Sequence, residues 1–207
     1  MPKAAARSGA GPRGVVIAGG IAGATTAEAG YDMTSPILRA TGALFLAIST
    51  ATGALAQVST NRVAANTDWS VFVEEDPKEC WGVTAPKETV NTKDGQAVSV
   101  RRGDILLFVT YRPGVAEGEV SFSGGYPFAS GSTVSLDIGG TAFELFTEGE
   151  WAWSGSKEDD AKIIAALKSG ASAVLTGRSG RGTQTKDTFS LLGVSAALDE
   201  AKKRCAG

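Results

Sequence analysis

Few side chains in this sequence are suited to catalysis, because the chain contains no histidine. Without histidine, a Ser/His/Asp triad, a Cys/His nucleophile and the usual zinc sites are all unavailable. The common chemistry that remains is hydrolysis by two inward-facing carboxylates, held roughly 5 to 10 Å apart in a cleft. The candidates by location are Asp137, Glu144, Glu148 and Glu150. Location alone defines no catalytic pair. The sequence therefore favours a protein that acts by binding a partner and that has no catalytic residue, metal or cofactor.

A turn near the C-terminal end carries basic side chains that could hold an anion such as a sugar acid or a phosphate. Arg178, Arg181 and Lys186 surround residues 179–182, between two expected strands. The turn has the glycine spacing of a phosphate loop, but Thr183 stands where that loop needs lysine, and both flanks are strands. Nucleotide binding is therefore not expected. A solvated basic surface is the alternative to an anion site.

Two tryptophans and one tripeptide suggest other ways of binding a partner. Trp151 and Trp153 share one face of an expected strand and could form a platform for a carbohydrate. In a chain with few large residues, paired indoles are more often part of the core. The tripeptide Arg102-Gly103-Asp104 matches an integrin-binding sequence, which requires a turn that displays both charges. The same three residues also suit an ordinary turn before a buried strand.

The N-terminal part of the chain has the pattern of an export signal. Residues 33–56 contain one arginine, an apolar run of about 15 residues and the ending Ala54-Leu55-Ala56, which suits signal peptidase. The run is shorter than the roughly 20 residues of a spanning helix, so we expect cleavage before Gln57 and no membrane span afterwards. Residues 1–32 are expected to be a mis-assigned or disordered extension. Their glycine run lacks the spacing and the following parallel strand of a dinucleotide loop.

From residue 57 to residue 207 the pattern predicts a single, mainly β domain, an antiparallel β-sandwich with two short helices. Short alternating runs bounded by glycine and proline indicate strands at 69–73, 80–84, 98–102, 105–112, 119–123, 133–138, 142–147, 151–153, 171–178 and 184–191. The run 105–112 is almost continuously apolar and should be central. Helices are expected at 157–168, where Ser156 and Asp159 form a capping box, and from about residue 195 to the C-terminus.

The apolar stripes of these helices predict how they pack. The stripe of the first helix consists of Ala161, Ile164, Ala165 and Leu167. The stripe of the second consists of Val194, Ala197, Leu198, Ala201 and Cys205. Because Cys205 then faces the core and Cys80 lies on a strand, we expect a disulfide between them in an oxidising compartment. Closing so long a loop contributes roughly 4 to 5 kcal/mol in the chain-entropy treatment. Two buried free thiols are the alternative.

The charge of the chain argues against nucleic acid as a partner. Residues 1–56 hold four of the 20 Lys/Arg and two of the 22 Asp/Glu, which leaves 16 basic and 20 acidic side chains and a net charge of −4. Proteins that bind phosphate backbones usually present a basic face. We therefore expect a partner of another kind.

Short motifs spread over most of residues 68–205 carry a family resemblance. They are Trp69-Ser70-Val71-Phe72, Pro77-Lys78-Glu79-Cys80-Trp81, Val100-Arg101-Arg102-Gly103-Asp104, Gly125-Tyr126-Pro127-Phe128, Trp151-Ala152-Trp153, and Asp187-Thr188-Phe189-Ser190-Leu191-Leu192-Gly193 with Ala196-Ala197-Leu198. In this order they resemble the invasion-associated locus B family of alphaproteobacterial exported proteins. The resemblance implies a periplasmic or secreted protein, in a family named after a role in host-cell entry. It brings no accepted catalytic residues, so we expect a non-enzymatic role in binding an envelope or host-surface partner.

Overall fold

A computed structural model of the chain describes residues 61–206, which lie within one compact unit. The described region contains two helices, α1 (Lys157–Ser169) and α2 (Val194–Cys205). Its strands are β1 (Arg62–Asn66), β2 (Trp69–Glu75), β3 (Lys78–Thr84), β4 (Glu88–Lys93), β5 (Gln96–Ala97), β6 (Leu106–Arg112), β7 (Ala116–Ser123), β8 (Thr133–Ile138), β9 (Thr141–Glu148), β10 (Trp151–Ser154), β11 (Ser172–Arg178) and β12 (Gln184–Ser190). The expected signal peptide, 33–56, and the extension before it lie outside the described residues.

The strands of this region form one antiparallel sheet, in the order β1-β2-β3-β6-β7-β10-β9-β8-β11-β12-β4-β5. The sheet folds back on itself, because strands far apart in this order meet. The indole Nε1 of Trp69 on β2 donates to the carbonyl oxygen of Ser190 on β12 over 3.1 Å. Phe122 of β7 packs edge-on against Phe189 of β12, with ring centroids 6.1 Å apart. The mainly β, antiparallel fold is confirmed, and the doubled-over sheet is consistent with the predicted sandwich.

Alternation along the strands separates a core face from an outer face. In β3 the residues Cys80, Gly82 and Thr84 are buried, and in β10 the residues Ala152 and Ser154 are buried. Side chains between these positions therefore project to the outer face. Strand β6 lies between β3 and β7, as its apolar run predicts.

Helix α1 begins at the expected cap, where the Ser156 hydroxyl oxygen accepts from the Asp159 N–H over 3.1 Å. Its buried residues are Asp160, Ile163 and Leu167. The predicted stripe was therefore right at Leu167 and in part at Ile164, which is half-buried against the core, and it was wrong at the exposed Ala161 and Ala165.

The reason for this rotation of α1 is a polar contact. The Asp160 carboxylate accepts from the backbone N–H of Val120 over 2.9 Å and from the Ser154 hydroxyl over 2.5 Å. The N–H of Val120 lies just past the residues that pair β7 with β10, at Ser121–Ser123. A buried N–H needs a partner, so an acidic residue occupies the inward position of the helix.

Helix α2 joins the C-terminal end of the chain to the first strands. Its buried residues are the predicted ones: Val194, Ala197, Leu198, Ala201 and Cys205. The predicted disulfide between Cys80 and Cys205 is present, with the two Cα atoms 5.7 Å apart. No helix between residues 61 and 206 is long and apolar enough to cross a membrane.

One predicted strand is absent. Residues 98–102 leave the sheet edge after the two-residue strand β5 instead of continuing as a strand. The Val98 N–H still donates to the Asn91 carbonyl oxygen over 2.9 Å, but further along the segment Arg102 binds the buried carboxylate of Asp187. Sequence patterning did not identify strands β1 and β4. In the sheet, β1 forms one edge, and β4 lies next to β5, which forms the other edge.

Candidate functional site

A pocket of about 340 Å³ opens where separate segments of the chain meet at one end of the sheet. It is lined by residues 100–102, by residues 125–127, by the β11–β12 turn and by Glu150. Two backbone hydrogen bonds fix the turn: the Ser179 N–H donates to the Thr183 carbonyl oxygen over 2.8 Å, and the Gly180 N–H donates to the Pro127 carbonyl oxygen over 3.1 Å. The turn side of the pocket is therefore held in place by hydrogen bonds within the protein.

The wall of the pocket rests on a buried ion pair between Arg102 and Asp187. The guanidinium donates to both carboxylate oxygens, Oδ1 over 2.7 Å and Oδ2 over 2.6 Å, and the two side chains are 6% and 0% exposed. It also donates twice to the Gly124 carbonyl oxygen, over 3.0 and 2.8 Å. Such a two-pronged pair fixes both position and orientation. It ties segment 100–102 and the corner 124–127 to β12.

This arrangement contradicts display of Arg102-Gly103-Asp104 to a receptor. The Arg102 charge is buried and neutralised, and the Gly103 N–H donates to the Gly125 carbonyl oxygen over 2.8 Å. Gly125 has a positive φ of 69°, and a Cβ there would lie 2.6 Å from the Gly103 carbonyl oxygen. Arg102 and the backbone of Gly103 are thus held by contacts beside the pocket.

Tyr126 completes the wall. Its ring lies 5.0 Å from the Arg102 guanidinium carbon, and its hydroxyl shares a 2.6 Å hydrogen bond with the Thr185 hydroxyl. Burial raises the pKa of the Tyr126 phenol, against the lowering effects of the Thr185 hydrogen bond and the Arg102 charge. The phenol is therefore neutral and presents an aromatic surface to the pocket.

The three basic side chains predicted to share an anion site are separated in the structure. Arg181 lies in the turn and lines the pocket. Arg178 and Lys186 lie on strands, next to the buried Gly177 and Asp187, and so project to the outer face. The pocket has a second exposed cation instead, Arg101. Sequence reasoning missed it because the segment around it was assigned to a strand.

A second feature is a band of aromatic rings on the outer face of the sheet, which we call the aromatic face. Its members are Phe72, Trp81, Phe108, Phe146, Trp151 and Trp153. Rings of neighbouring members approach each other at 5.6 Å in the Phe72–Trp81 and Phe108–Trp151 pairs and at 6.2 Å between Trp151 and Trp153. The indoles of Trp151 and Trp153 thus share a face, as predicted, and neither belongs to the core cluster.

The candidate carboxylates do not form a catalytic pair around a cleft. Asp137 accepts from the Gly140 N–H over 3.2 Å in a hairpin, and Glu144 accepts from the Thr133 hydroxyl over 2.9 Å. Glu148 is exposed on β9, and Glu150 alone of the four lines the pocket. The acidic side chains buried within residues 61–206 are Asp160 and Asp187, and each holds the structural contacts described above. The same residues contain no cluster of three or more potential metal ligands.

One protein-family model matches the sequence. The sequence model described as invasion associated locus B (IalB) protein matches residues 69–202. Among solved structures, the chain is similar to the crystal structure of invasion associated protein B from Bartonella henselae, with 16% identity and a TM-score of 0.48. That similarity covers 70% of this chain and 98% of the Bartonella chain. No curated protein matches the sequence.

Proposed function

Because the chain belongs to the invasion associated locus B family, we propose that it is an exported protein of the cell envelope that acts by binding a glycan, without catalysis. The observation that carries the binding role is the aromatic face. Three of the four tryptophans, Trp81, Trp151 and Trp153, lie outside the core cluster. Of the aromatic face, Phe146 is exposed, Phe108 is buried and the other four rings are half-buried. Partly exposed aromatic rings grouped on the outer face of a sheet are typical of a binding surface.

The chemistry around the rings favours a glycan over an anionic lipid surface. Glu148 lies opposite Trp151 in the β9–β10 register, and the exposed ring of Phe146 lies opposite Trp153. Aromatic rings stack against the apolar faces of sugar rings, and carboxylates accept hydrogen bonds from sugar hydroxyls. A face with acidic side chains on a net acidic domain would repel an anionic membrane.

Export is supported by the disulfide and by the signal-peptide pattern of residues 33–56. A bridge between Cys80 and Cys205 is expected to persist in the periplasm or outside the cell, where proteins are oxidised. Residues 33–56 have the pattern of a signal peptide. In either of these compartments the protein would meet glycans of the envelope or of a host surface.

A non-enzymatic role is supported by the placement of the acidic residues. A carboxylate hydrolase needs two acidic side chains across a cleft. In the described residues the pocket has the single carboxylate Glu150, and the family is not one of known enzymes.

Export can be tested by the intact mass of the protein recovered from the periplasm or medium, with and without reduction before thiol alkylation. We expect a chain that starts at Gln57 and gains two alkyl groups only after reduction. A mass that includes residues 1–32, or two thiols that alkylate without reduction, would contradict export.

Glycan binding can be tested by co-sedimentation with purified peptidoglycan and by quenching of tryptophan fluorescence with soluble envelope polysaccharide. We expect the Trp151→Ala/Trp153→Ala variant to bind about tenfold more weakly, since two stacking contacts are lost. Leu192→Ala, which removes an exposed side chain beyond β12, is the control and should bind normally. Far-UV circular dichroism checks that both variants are folded. Equal binding by the tryptophan variant, or no binding of any glycan by the unmodified protein, would refute the proposal.

A further inference from the structure

We propose that the pocket beside the Arg102–Asp187 pair is a second binding site, which takes a small organic acid of monosaccharide size, such as a sugar acid or sugar phosphate. The lining of this site shares no residue with the aromatic face, and the proposal does not depend on the proposed glycan binding. Its ligand carries one oxyanion and hydroxyl groups on a compact ring.

The oxyanion is recognised by two arginines from distant parts of the chain. Arg101 and Arg181 both line the pocket and are exposed. Within residues 61–206 neither side chain has an ion pair or hydrogen bond. Two cations that converge on one cavity repel each other, and an anion between them relieves that repulsion. Guanidinium groups are suited to carboxylate and phosphate because their donors match both oxygens of the anion.

Several other donors beside the pocket are already engaged within the protein, which leaves the two arginines as its charged donors for an anion. Arg102 is saturated by Asp187 and the Gly124 carbonyl oxygen. The backbone N–H groups of the turn donate within the protein: Gly180 to Pro127, and Thr183 to the Ser179 hydroxyl oxygen over 3.1 Å. Most N–H groups of the turn are therefore not free to bind an anion, unlike those of a phosphate loop.

The remaining lining explains the preference for a ring with hydroxyl groups. Val100, Pro127 and the ring of Tyr126 provide apolar surface against which a flat ring can pack. Glu150 is a carboxylate on the same lining, so it accepts from ligand hydroxyls and disfavours a second negative charge. A volume of about 340 Å³ is at the small end of the roughly 300 to 1,000 Å³ typical of ligand sites.

Isothermal titration of the purified, disulfide-bonded protein tests the proposal with glucuronate, glucose 6-phosphate and neutral glucose as probes. We expect saturable binding of at least one acid, weakened by added salt, and at least about tenfold weaker binding of glucose. Preference for glucuronate or for glucose 6-phosphate then distinguishes a carboxylate ligand from a phosphate ligand. No saturable binding of either acid up to about 10 mM overturns the proposal.

Two variants and one matched control locate the site. Arg101→Gln and Arg181→Gln should each weaken binding of the acid about tenfold or more, because a charge-assisted contact is lost. Arg178→Gln removes the same charge from the same hairpin but on the outer face, and it should change the affinity less than about twofold. An equal loss in Arg178→Gln, or no loss in Arg181→Gln, overturns the assignment of the site. All three side chains are exposed, so an unchanged thermal midpoint excludes unfolding as the cause.

Discussion

Replacing Asp187 by asparagine should be among the most destabilising single substitutions in the domain, although it changes the shape of the side chain very little. The substitution removes the negative charge that compensates Arg102, whose side chain is only 6% exposed. Arg102 would keep its bonds to the Gly124 carbonyl oxygen, but of its two contacts with Asp187, at 2.6 and 2.7 Å, an asparagine could accept only one, through its amide oxygen, while its NH2 group would face the other guanidinium N–H. Breaking a buried pair from one side typically costs about 3 to 5 kcal/mol, because an uncompensated charge stays buried.

Urea unfolding followed by tryptophan fluorescence measures this cost. With a urea slope of about 2 kcal/mol per molar, a loss of about 3 to 5 kcal/mol lowers the unfolding midpoint by about 1.5 to 2.5 M. The control is Asp199→Asn, which breaks the exposed Lys168–Asp199 contact of 2.6 Å. We expect that control to lose less than about 1 kcal/mol.

The double substitution Arg102→Met/Asp187→Leu tests the reasoning further. It removes both charges, and its main cost is the Gly124 carbonyl oxygen left without its donor, about 1 to 3 kcal/mol. The double variant should therefore be more stable than Asp187→Asn alone. A loss of less than about 1 kcal/mol in Asp187→Asn, or a double variant less stable than Asp187→Asn, would show that the buried charge of Arg102 does not depend on Asp187.

Three other predictions concern stability. Cys80→Ala/Cys205→Ala opens a loop with a sequence separation of 125 and should lower the free energy of unfolding by about 4 to 5 kcal/mol in urea titrations; a loss under about 1 kcal/mol would contradict this. Burial, with a smaller effect of Asp199, raises the pKa of the Tyr111 phenol to about 12 from 10.0. The unfolded chain therefore loses this proton at a lower pH than the folded protein does, and the free energy of unfolding should fall between about pH 10 and pH 12. Tyr111→Phe should lack this part of the fall, and identical pH profiles would exclude the assignment. Gly193→Ala should lower the thermal midpoint more than Gly140→Ala. Both glycines have positive φ, 91° and 87°, but only at Gly193 would a Cβ meet the Asn66 carbonyl oxygen, at 2.0 Å. Equal losses in the two variants would exclude the steric explanation.

Local patterns in the sequence were sufficient for the helices and for most strands. The cap at Ser156 and the stripe ending at Cys205 depend on residues within a few turns of one another, and both are confirmed. The stripe of α1 could not be predicted fully, because Asp160 turns inward to satisfy an N–H 40 residues away. Contacts of that kind leave no periodic signal.

The candidate site was only partly accessible to sequence reasoning for the same reason. Arg102 and Asp187 are 85 residues apart, and their contact holds residues 98–102 outside the sheet. In this position the segment places Arg101 on the pocket lining. The separation of Arg181 from Arg178 and Lys186 could have been anticipated, since alternate strand positions face opposite ways and turn residues do not follow that rule. The position of Trp151 and Trp153 outside the core depends on which face of β10 the helices cover, and the sequence does not specify this.

The packing of the last helix on the first strands restricts the order in which the domain can fold. Helix α2 packs on β2 and β3 near Trp69 and Gly82, and it supplies the second cysteine of the bridge. Ribosomes make the first strands early, so these strands stay without their cover until the final turn has been synthesised. A truncated translation product that ends before Cys205 would keep an unpaired Cys80 thiol and an open apolar face. Both are marks by which quality-control proteases and chaperones distinguish an unfinished chain from a finished one.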